Sequence, residues 1–454
     1  MPTTGAHLRE GRGPVAPLLA PDAFEDAVGM SRFLAATPGT GGRLRTFPED
    51  FVVGEIPLAF PAPTGEGKYT VAAVRARNWE TNRLMREIAD RLKVSRQAVF
   101  FAGTKDKRAV TTQYVSVPAP EDRVRALAIK DVEILETFRV DRAPKIGELV
   151  GNRFEIAVRD LPIASDDART LAEATLADLH GKGGFPNYFG LQRFGQVRPI
   201  THVVGRLLVL GDLEGAVMAY AANPMEADPP EVREARARLQ ESRDFASAAR
   251  WYPEFLSFER TMIRHLAAKP GDWAGALLAL PGNLLTMFVY AYQSLLFNRA
   301  LSERLARGVG LAEPQEGDLL LPADAHGVPS TERPVAVTSA NLAKARLQVA
   351  RGRAFVSGLV TGSDPPWSGG LQGEIERAVV EAEGIPVSAF RVAALPEAGS
   401  SGTRRALHAR PAGAAVQAGS DAHGEKVTLA FGLSKGCYAT CLVREITKSP
   451  YYAF

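Results

Sequence analysis

The stretch EKVTLAFGLSKGCYATCLVREITK, residues 425–448, decides how this 454-residue chain is organised. Val427, Leu429 and Phe431 alternate with polar or small residues before a Ser-Lys-Gly turn, and Tyr438, Thr440 and Leu442 alternate after it. Both halves therefore read as strands. Similar strand runs lie far upstream: Phe51 to Ile56, KYTVAAVRA, AVFFAG, AVTTQYVSV, VEILETFRV and NRFEIAVRD. Beyond residue 220 the sequence becomes long, charged and helix-rich, as in PPEVREARARLQESRDFASAARW. Strands at both ends with helices between them imply an α+β sheet unit interrupted by an inserted domain.

Several helices are legible. In TNRLMREIADRLKVS the apolar residues Leu84, Met85, Ile88, Ala89 and Leu92 recur at helical spacing, with Thr81 as N-cap, and this helix should pack on the sheet. A second helix runs from about Ser165 to His180 and ends at Gly181. The longest apolar stretch, 273–297, is divided by Pro281, Gly282 and Asn283 into pieces too short to span a bilayer, so a buried helix beginning near Pro281 is expected. Residues 1–30 read as a loose Gly/Pro-rich leader without a signal-peptide core.

With 46% hydrophobic and 23% charged residues, the composition is that of a soluble globular protein. A net charge of +3 does not by itself argue for nucleic acid. The basic cluster from Arg83 to Arg96 reads as a solvated helix face, whereas Lys105, Lys107 and Arg108 surround an acid. Cys437 and Cys441, read as sharing one strand face roughly 13 Å apart, cannot bridge each other. They also lack the histidine neighbours of a zinc site, and are expected to be reduced core residues of a cytoplasmic protein.

Two stretches carry candidate chemistry. FAGTKDKRAVTTQY, residues 101–114, places Asp106 between Lys105 and Lys107 in a loop flanked by strands. On this loop alone, the acid reads as a turn residue rather than a catalytic one. GGFPNYFGLQRFG, residues 183–195, interleaves Tyr188, Phe189 and Phe194 with Asn187, Gln192 and Arg193. Aromatic faces stack on unpaired bases, amides bond base edges or ribose hydroxyls, and arginine meets phosphate. Its competing reading is a loop anchored to the core by its own aromatics. The sequence has no phosphate-binding glycine loop, no dinucleotide fingerprint and no HExxH, so no cofactor and no metal are implied. A lone carboxylate near an aromatic platform suggests nucleophilic or base chemistry at a glycosidic bond in RNA.

FAGTKDKRAVTTQ and NYFGLQRFG, with PEDFVVGE upstream, AYQSLLFNRAL in the middle and LSKGCYATCLVRE at the end, resemble the TruD family of tRNA pseudouridine synthases in order and spacing across residues 40–450. The resemblance implies a mixed, largely antiparallel pseudouridine-synthase sheet carrying a large inserted helix-rich α/β domain. The boundaries expected are 31–220 with 410–454 for the catalytic domain and 221–409 for the insertion. It implies a cofactor-independent isomerase acting on tRNA, typically at position 13, with the RNA in the cleft between domains and a target uridine flipped out of the stack. Asp106 would be the catalytic aspartate. Phe189 would stack on the uracil, Asn187 would contact the nucleotide, and Phe51 and Tyr438 would line the pocket. Arg45 stands where a bacterial relative carries lysine, and Lys105, Lys107, Gln192 and Arg193 complete the expected substrate-binding set.

Other readings remain open at this point. Gln192 and Arg193 would equally brace their loop, Arg444 and Glu445 would form a structural pair beneath Asp106, and Arg404 and Arg405 would touch phosphate or be an ordinary solvated crossing. A catalytically silent RNA-binding module of the same fold is the alternative function. A metal-free hydrolase of nucleosides or glycosides is a third, disfavoured by an insertion of roughly 190 residues, larger than a lid.

Overall fold

The computed structural model describes residues 13–58, 66–143, 145, 147–195 and 198–454. Its strands in chain order are β1 (Phe51–Pro57), β2 (Tyr69–Arg77), β3 (Phe100–Phe101), β4 (Val110–Val117), β5 (Val132–Val140), β6 (Leu149–Val158), β7 (Phe185–Pro186), β8 (Leu319–Pro322), β9 (Val335–Ala336), β10 (Ala354–Val360), β11 (Thr403–Ala406), β12 (His408–Ala409), β13 (Ala412–Asp421) and β14 (Gly424–Ser434). Eight of them form the main sheet, in the order β13-β14-β6-β1-β4-β2-β5 with β3 beside β4. Every pairing in it is antiparallel except β1 with β4.

The alternation read in 427–433 is real. Val427, Leu429, Phe431 and Leu433 are buried on one face of β14. β14 pairs with β6 from Val427↔Val158 to Ser434↔Gly151, which places Leu429 beside Ile156, itself beside Phe51. The ring of Phe431 stacks on Phe154 at 5.5 Å, and Phe154 meets Phe51 edge-on at 6.2 Å. A strand from the chain's end thus backs the strand that opens it.

The second half of the quoted stretch is not a strand. Residues Ala439–Thr447 form an α-helix in which every residue is buried. Ala439, Leu442, Val443 and Ile446 follow the i, i+3, i+4, i+7 spacing of a helix face. The β-branched Thr440, Val443, Ile446 and Thr447 favour a strand locally, and burial on all sides outweighs that preference. Cys437 precedes this helix and Cys441 lies within it; neither forms a disulfide. Arg444 and Glu445, expected at a strand end, are helical and pair with each other at 3.4 Å.

Arg444 also reaches a partner that the sequence did not suggest. Its Nε lies 2.5 Å from Glu25 Oε1, and its Nη2 donates to the carbonyl of Met30 at 2.7 Å. Burial pushes the Glu25 and Glu445 carboxyls up, opposed by Arg444. Of the stretch expected as a loose leader, residues 1–12 lie outside the described residues. The rest is built in: Asp22 caps the helix Ala23–Ala27, and Val28 and Met30 are buried. A carboxylate at position 25 can be buried because a guanidinium meets it there.

The helix Thr81–Leu92 buries Leu84, Met85, Ile88, Ala89 and Leu92 against β2 and β4, as its spacing predicts. Its N-cap is Glu80 rather than Thr81: the Glu80 carboxylate accepts from the amides of Asn82 and Arg83. That frees the Thr81 hydroxyl for the neighbouring loop. Arg83, Arg86, Arg91 and Lys93 are exposed, as expected of a solvated face.

The helix-rich region contributes Thr201–Leu210, Leu213–Ala221, Pro230–Ser242, Phe245–Trp251, Ser257–Ala268, Trp273–Leu278 and the long helix Gly282–Ala306, capped by Pro281 as expected. Thr201–Leu210 packs on the long helix through Gly205, where an added Cβ would sit 1.9 Å from the Phe288 carbonyl oxygen. A smaller sheet, β11-β10-β8-β9, follows, and β12 pairs with β7. Among the described residues no helix is long and apolar enough to cross a membrane.

Candidate active site

The loop between β3 and β4 is tied down at three points. The amide of Lys105 donates to Thr81 Oγ1 at 2.8 Å, the amide of Asn78 to the carbonyl of Ala109 at 2.9 Å, and Arg108 Nη2 to the carbonyl of Thr46 at 2.8 Å. Burial and the nearby Arg45 charge push the Arg108 guanidinium down. Lys105 does not reach outward. Its Nζ lies 2.7 Å from Glu55 Oε2, and the two side chains are 5% and 2% exposed. The pair consumes the lysine's charge inside the wall, leaving Asp106 facing solvent.

Asp106 is 42% exposed in its side chain, with Oδ2 3.1 Å from Arg45 Nη2. The Arg45 guanidinium lies between this carboxylate and the face of Phe51, 4.1 Å from the ring centroid. Reaching this position requires a left-handed backbone at Arg45, φ +54°, a conformation that disfavours a side chain by about 1–2 kcal/mol. The flanking segment supplies the restraint. Arg43 and Leu44 donate to the carbonyls of Arg159 and Ala453 at 2.7 Å each, and the Phe47 amide donates to Asp50 Oδ2 at 2.8 Å. Arg159, buried, joins Asp50 to Asp421, each at 2.7 Å, and its hydrogen bonds to Asp421 hold its guanidinium above the usual range.

A cavity of about 270 Å³ opens beside Asp106. Phe51, Val53 and Phe154 form its floor, the 104–106 loop one side, and Gln192 and the segment Cys437–Thr440 the other. Gln192 and Thr440 hydrogen-bond at 3.2–3.3 Å. Gly190 allows them to close, since a Cβ there would lie 2.8 Å from Gln192 Oε1 and 3.0 Å from the Tyr438 ring. Burial pushes the Cys441 thiol up to about 12 and raises Cys437 as well, so neither is a thiolate nucleophile.

The residues singled out in the sequence divide between two neighbouring cavities. Phe51, Lys105, Asp106, Gln192 and Tyr438 line the one just described, with Arg45 touching Asp106. Asn187, Phe189 and Arg193 line a larger one of about 750 Å³. The two meet at Cys437, which lines both, and Phe189 and Tyr438 stand edge to face at 6.3 Å. Lys107 is exposed and lines neither.

Asn187 is already engaged. Its Nδ2 donates to the Ala406 carbonyl at 2.9 Å and its Oδ1 accepts from Arg405 Nη2 at 2.7 Å. Phe189 is 9% exposed, covered by the Arg405 guanidinium 4.2 Å above its ring and by the edge of Phe297. Arg404, weighed as a phosphate contact, is instead paired in the interior with Glu376 at 2.9 Å. Sequence reasoning missed Glu55 as the partner of Lys105 and Arg405 as the clamp on Asn187. A signal for Glu55 was present: it continues the Phe51, Val53 alternation onto the same strand face.

Comparison with known proteins bears on the family and the fold. The family described as "tRNA pseudouridine synthase D (TruD)" matches residues 27–446. A Methanococcoides burtonii protein named "Probable tRNA pseudouridine synthase D" is 38% identical over 427 residues, covering 93% of this chain and 97% of its own length. A Thermococcus gammatolerans protein of the same name is 40% identical over 429 residues, covering 94% and 99%. A crystal structure named for tRNA pseudouridine synthase D (TruD), from Methanosarcina mazei, superposes with a TM-score of 0.82 at 34% identity, over 96% of this chain and 100% of that one.

Proposed function

The chain belongs to the TruD family of tRNA pseudouridine synthases, isomerases that turn uridine into pseudouridine, and we propose that Asp106 is the group with which it does so. The observation that carries this is a solvent-facing carboxylate, oriented by one guanidinium, as the one acid on the wall of a cavity lined also by three aromatic rings and two amides. The target uridine, at position 13 by family likeness, leaves the RNA stack and enters beside Asp106, between Phe51 and Tyr438. Its sugar then lies within reach of the carboxylate.

The reaction is an isomerisation, and its atoms balance without a co-reactant. The C1′–N1 bond breaks, the uracil turns, C5 bonds to C1′, and the C5 proton passes to N1 through solvent or a site group. Asp106 serves either by attacking C1′ as N1 departs or by taking a ribose proton on a glycal route. In both, an anion must be placed and kept from wandering, which Arg45 does. Phe189, from the wall shared with Tyr438, stacks on the base or its neighbour. Gln192 holds Thr440, and Asn187 holds the wall through Arg405. The region 221–409 acts as the inserted domain that closes the RNA cleft against the sheet domain of 31–220 and 410–454.

The test is to incubate the protein and its Asp106→Asn variant with unmodified tRNA transcripts and map pseudouridine by a chemical-adduct primer-extension stop. A stop at one uridine with wild type only is expected. An equal stop with the variant removes Asp106 from the mechanism, and no stop with wild type favours the silent RNA-binding alternative.

A further inference from the structure

The larger cavity has no aspartate or glutamate in its lining. Five cations line it: Arg404 is paired with Glu376 behind the wall, and the other four form no ion pair among the described residues. Arg405 donates to the Gly436 carbonyl and to Asn187, Arg410 to the carbonyls of Gly183, Val349 and Ala350, and Lys435 to that of Gly147 at 2.8 Å. Arg193 lies 5.5 Å from the centroid of the Phe189 ring, with a buried Nε that has no hydrogen-bond partner. Carbonyl oxygens satisfy N–H groups without cancelling their charge. The cavity therefore carries an uncompensated positive field suited to a phosphodiester.

A second, independent feature specifies what accompanies the phosphate. His408 is 1% exposed, and its Nδ1 lies 2.9 Å from the Gly183 carbonyl oxygen. A carbonyl only accepts, so Nδ1 carries the proton and Nε2 is left as an acceptor. Burial keeps the ring neutral, its pKa pushed down to about 4. Nε2 is buried and no donor among the described residues reaches it. A ligand completing this site must therefore bring a hydrogen-bond donor as well as a negative charge.

We propose that this cavity is a second nucleotide subsite, taking the residue next to the target uridine, with its phosphate among Arg193, Arg405, Arg410 and Lys435 and a 2′-hydroxyl or base N–H donating to His408 Nε2. The inference rests on the RNA-modifying reading above. The two cavities share Cys437, and Phe189 of the larger meets Tyr438 of the smaller, so a nucleotide adjoining the target uridine lies next to the larger one.

The test couples protein and substrate changes. His408→Asn keeps a donor for the Gly183 carbonyl and removes the Nε2 acceptor; Lys435→Gln removes an exposed charge. Both are assayed on tRNA transcripts carrying a single 2′-deoxynucleotide, or a base methylated at its N–H, on either side of the modified uridine. In wild type one such change is expected to lower kcat/KM by about tenfold, the size of one buried hydrogen bond. His408→Asn should lose the same factor on unmodified RNA and nothing more on the altered one. The 2′-deoxy and methyl arms tell ribose from base. Lys435→Gln should flatten the slope of log affinity against log salt by about 0.7. Substitutions that cost the same in wild type and His408→Asn, with melting temperature unchanged and turnover intact, overturn the subsite alone. Absence of turnover by wild type on any transcript overturns the reading beneath it as well.

Discussion

The two cavities are neighbours with opposite electrostatic construction. Around Asp106 most of the basic groups are matched to acids, Arg45 to Asp106, Lys105 to Glu55, and Arg159 to Asp50 and Asp421, while Arg108 meets a carbonyl and Lys107 faces solvent. In the larger cavity Arg404 is matched to Glu376, but Arg193, Arg405, Arg410 and Lys435 meet carbonyls or rings, and no carboxylate lines the wall. Matched charges fix geometry and contribute little net field, whereas unmatched ones attract an anion without specifying its atoms. On the proposed reading, the first region places the reactive group and the second holds the RNA beside it.

Removing the charge of Asp106 should separate the two most sharply. Asp106→Asn is expected to lower single-turnover pseudouridine formation by at least about 10³-fold, the upper range for a positioned catalytic group, while changing the tRNA Kd less than about twofold. A parallel loss of affinity would show that the small cavity also binds, and the division would fail.

The buried Lys105–Glu55 pair gives the next largest effect, on stability. Glu55→Gln strands a buried ammonium and should cost about 3–5 kcal/mol in urea unfolding. Adding Lys105→Met should restore most of it. If Glu55→Gln unfolds at the wild-type midpoint, Lys105 is free to turn outward and the charges beside Asp106 are not matched as described.

Phe189→Leu sharpens the shared wall. Leucine keeps much of the packing against Phe297 and loses the flat face, so turnover should fall by the ~1–3 kcal/mol of one stacked base, with Kd moving less because phosphate contacts dominate it. An unchanged kcat would leave Phe189 as a core residue under Arg405. The last effect, spread over several pH units and small at any one pH step, is on pH dependence. Burial depresses His408 and His202 to about 4, so both fold as neutral rings. Their contribution is complete above the unfolded value near 6.5 and is lost as pH falls toward 4, by up to about 1.4 kcal/mol per pH unit for each ring. His408→Asn should flatten that fall in urea titrations; the same slope in the variant would mean that the His408 ring is protonated in the folded protein and can donate, rather than accept, at Nε2.

What the sequence disclosed follows the range of the interactions involved. The strands around Asp106 and the helix Thr81–Leu92 emerged from periodicity because each buries one face, a local pattern. Ala439–Thr447 was misread because Tyr438, Thr440 and Leu442 alternate and its β-branched residues favour a strand, although Ala439, Leu442, Val443 and Ile446 follow helical spacing. Asp106 was legible beside its lysines. That Lys105 turns inward was not, since its partner is 50 residues away on another strand. The N-terminal stretch looked loose for the same reason: Glu25 finds its countercharge 419 residues later.

That long separation bears on how the protein is made. β14 closes onto β6 only after the whole helix-rich region has been synthesised, on the order of tens of seconds at ribosomal speed. Until then the edge of β6 is an unpaired template, Phe51 and Phe154 lack the ring of Phe431 behind them, and Glu25 is a carboxylate with no guanidinium to enter the core beside. A nascent chain thus lacks one wall of the Asp106 cavity until its last residues are made, and a product ending before residue 424 keeps Phe51, Val53 and Phe154 but has an open sheet edge and no Cys437–Thr440 segment opposite them.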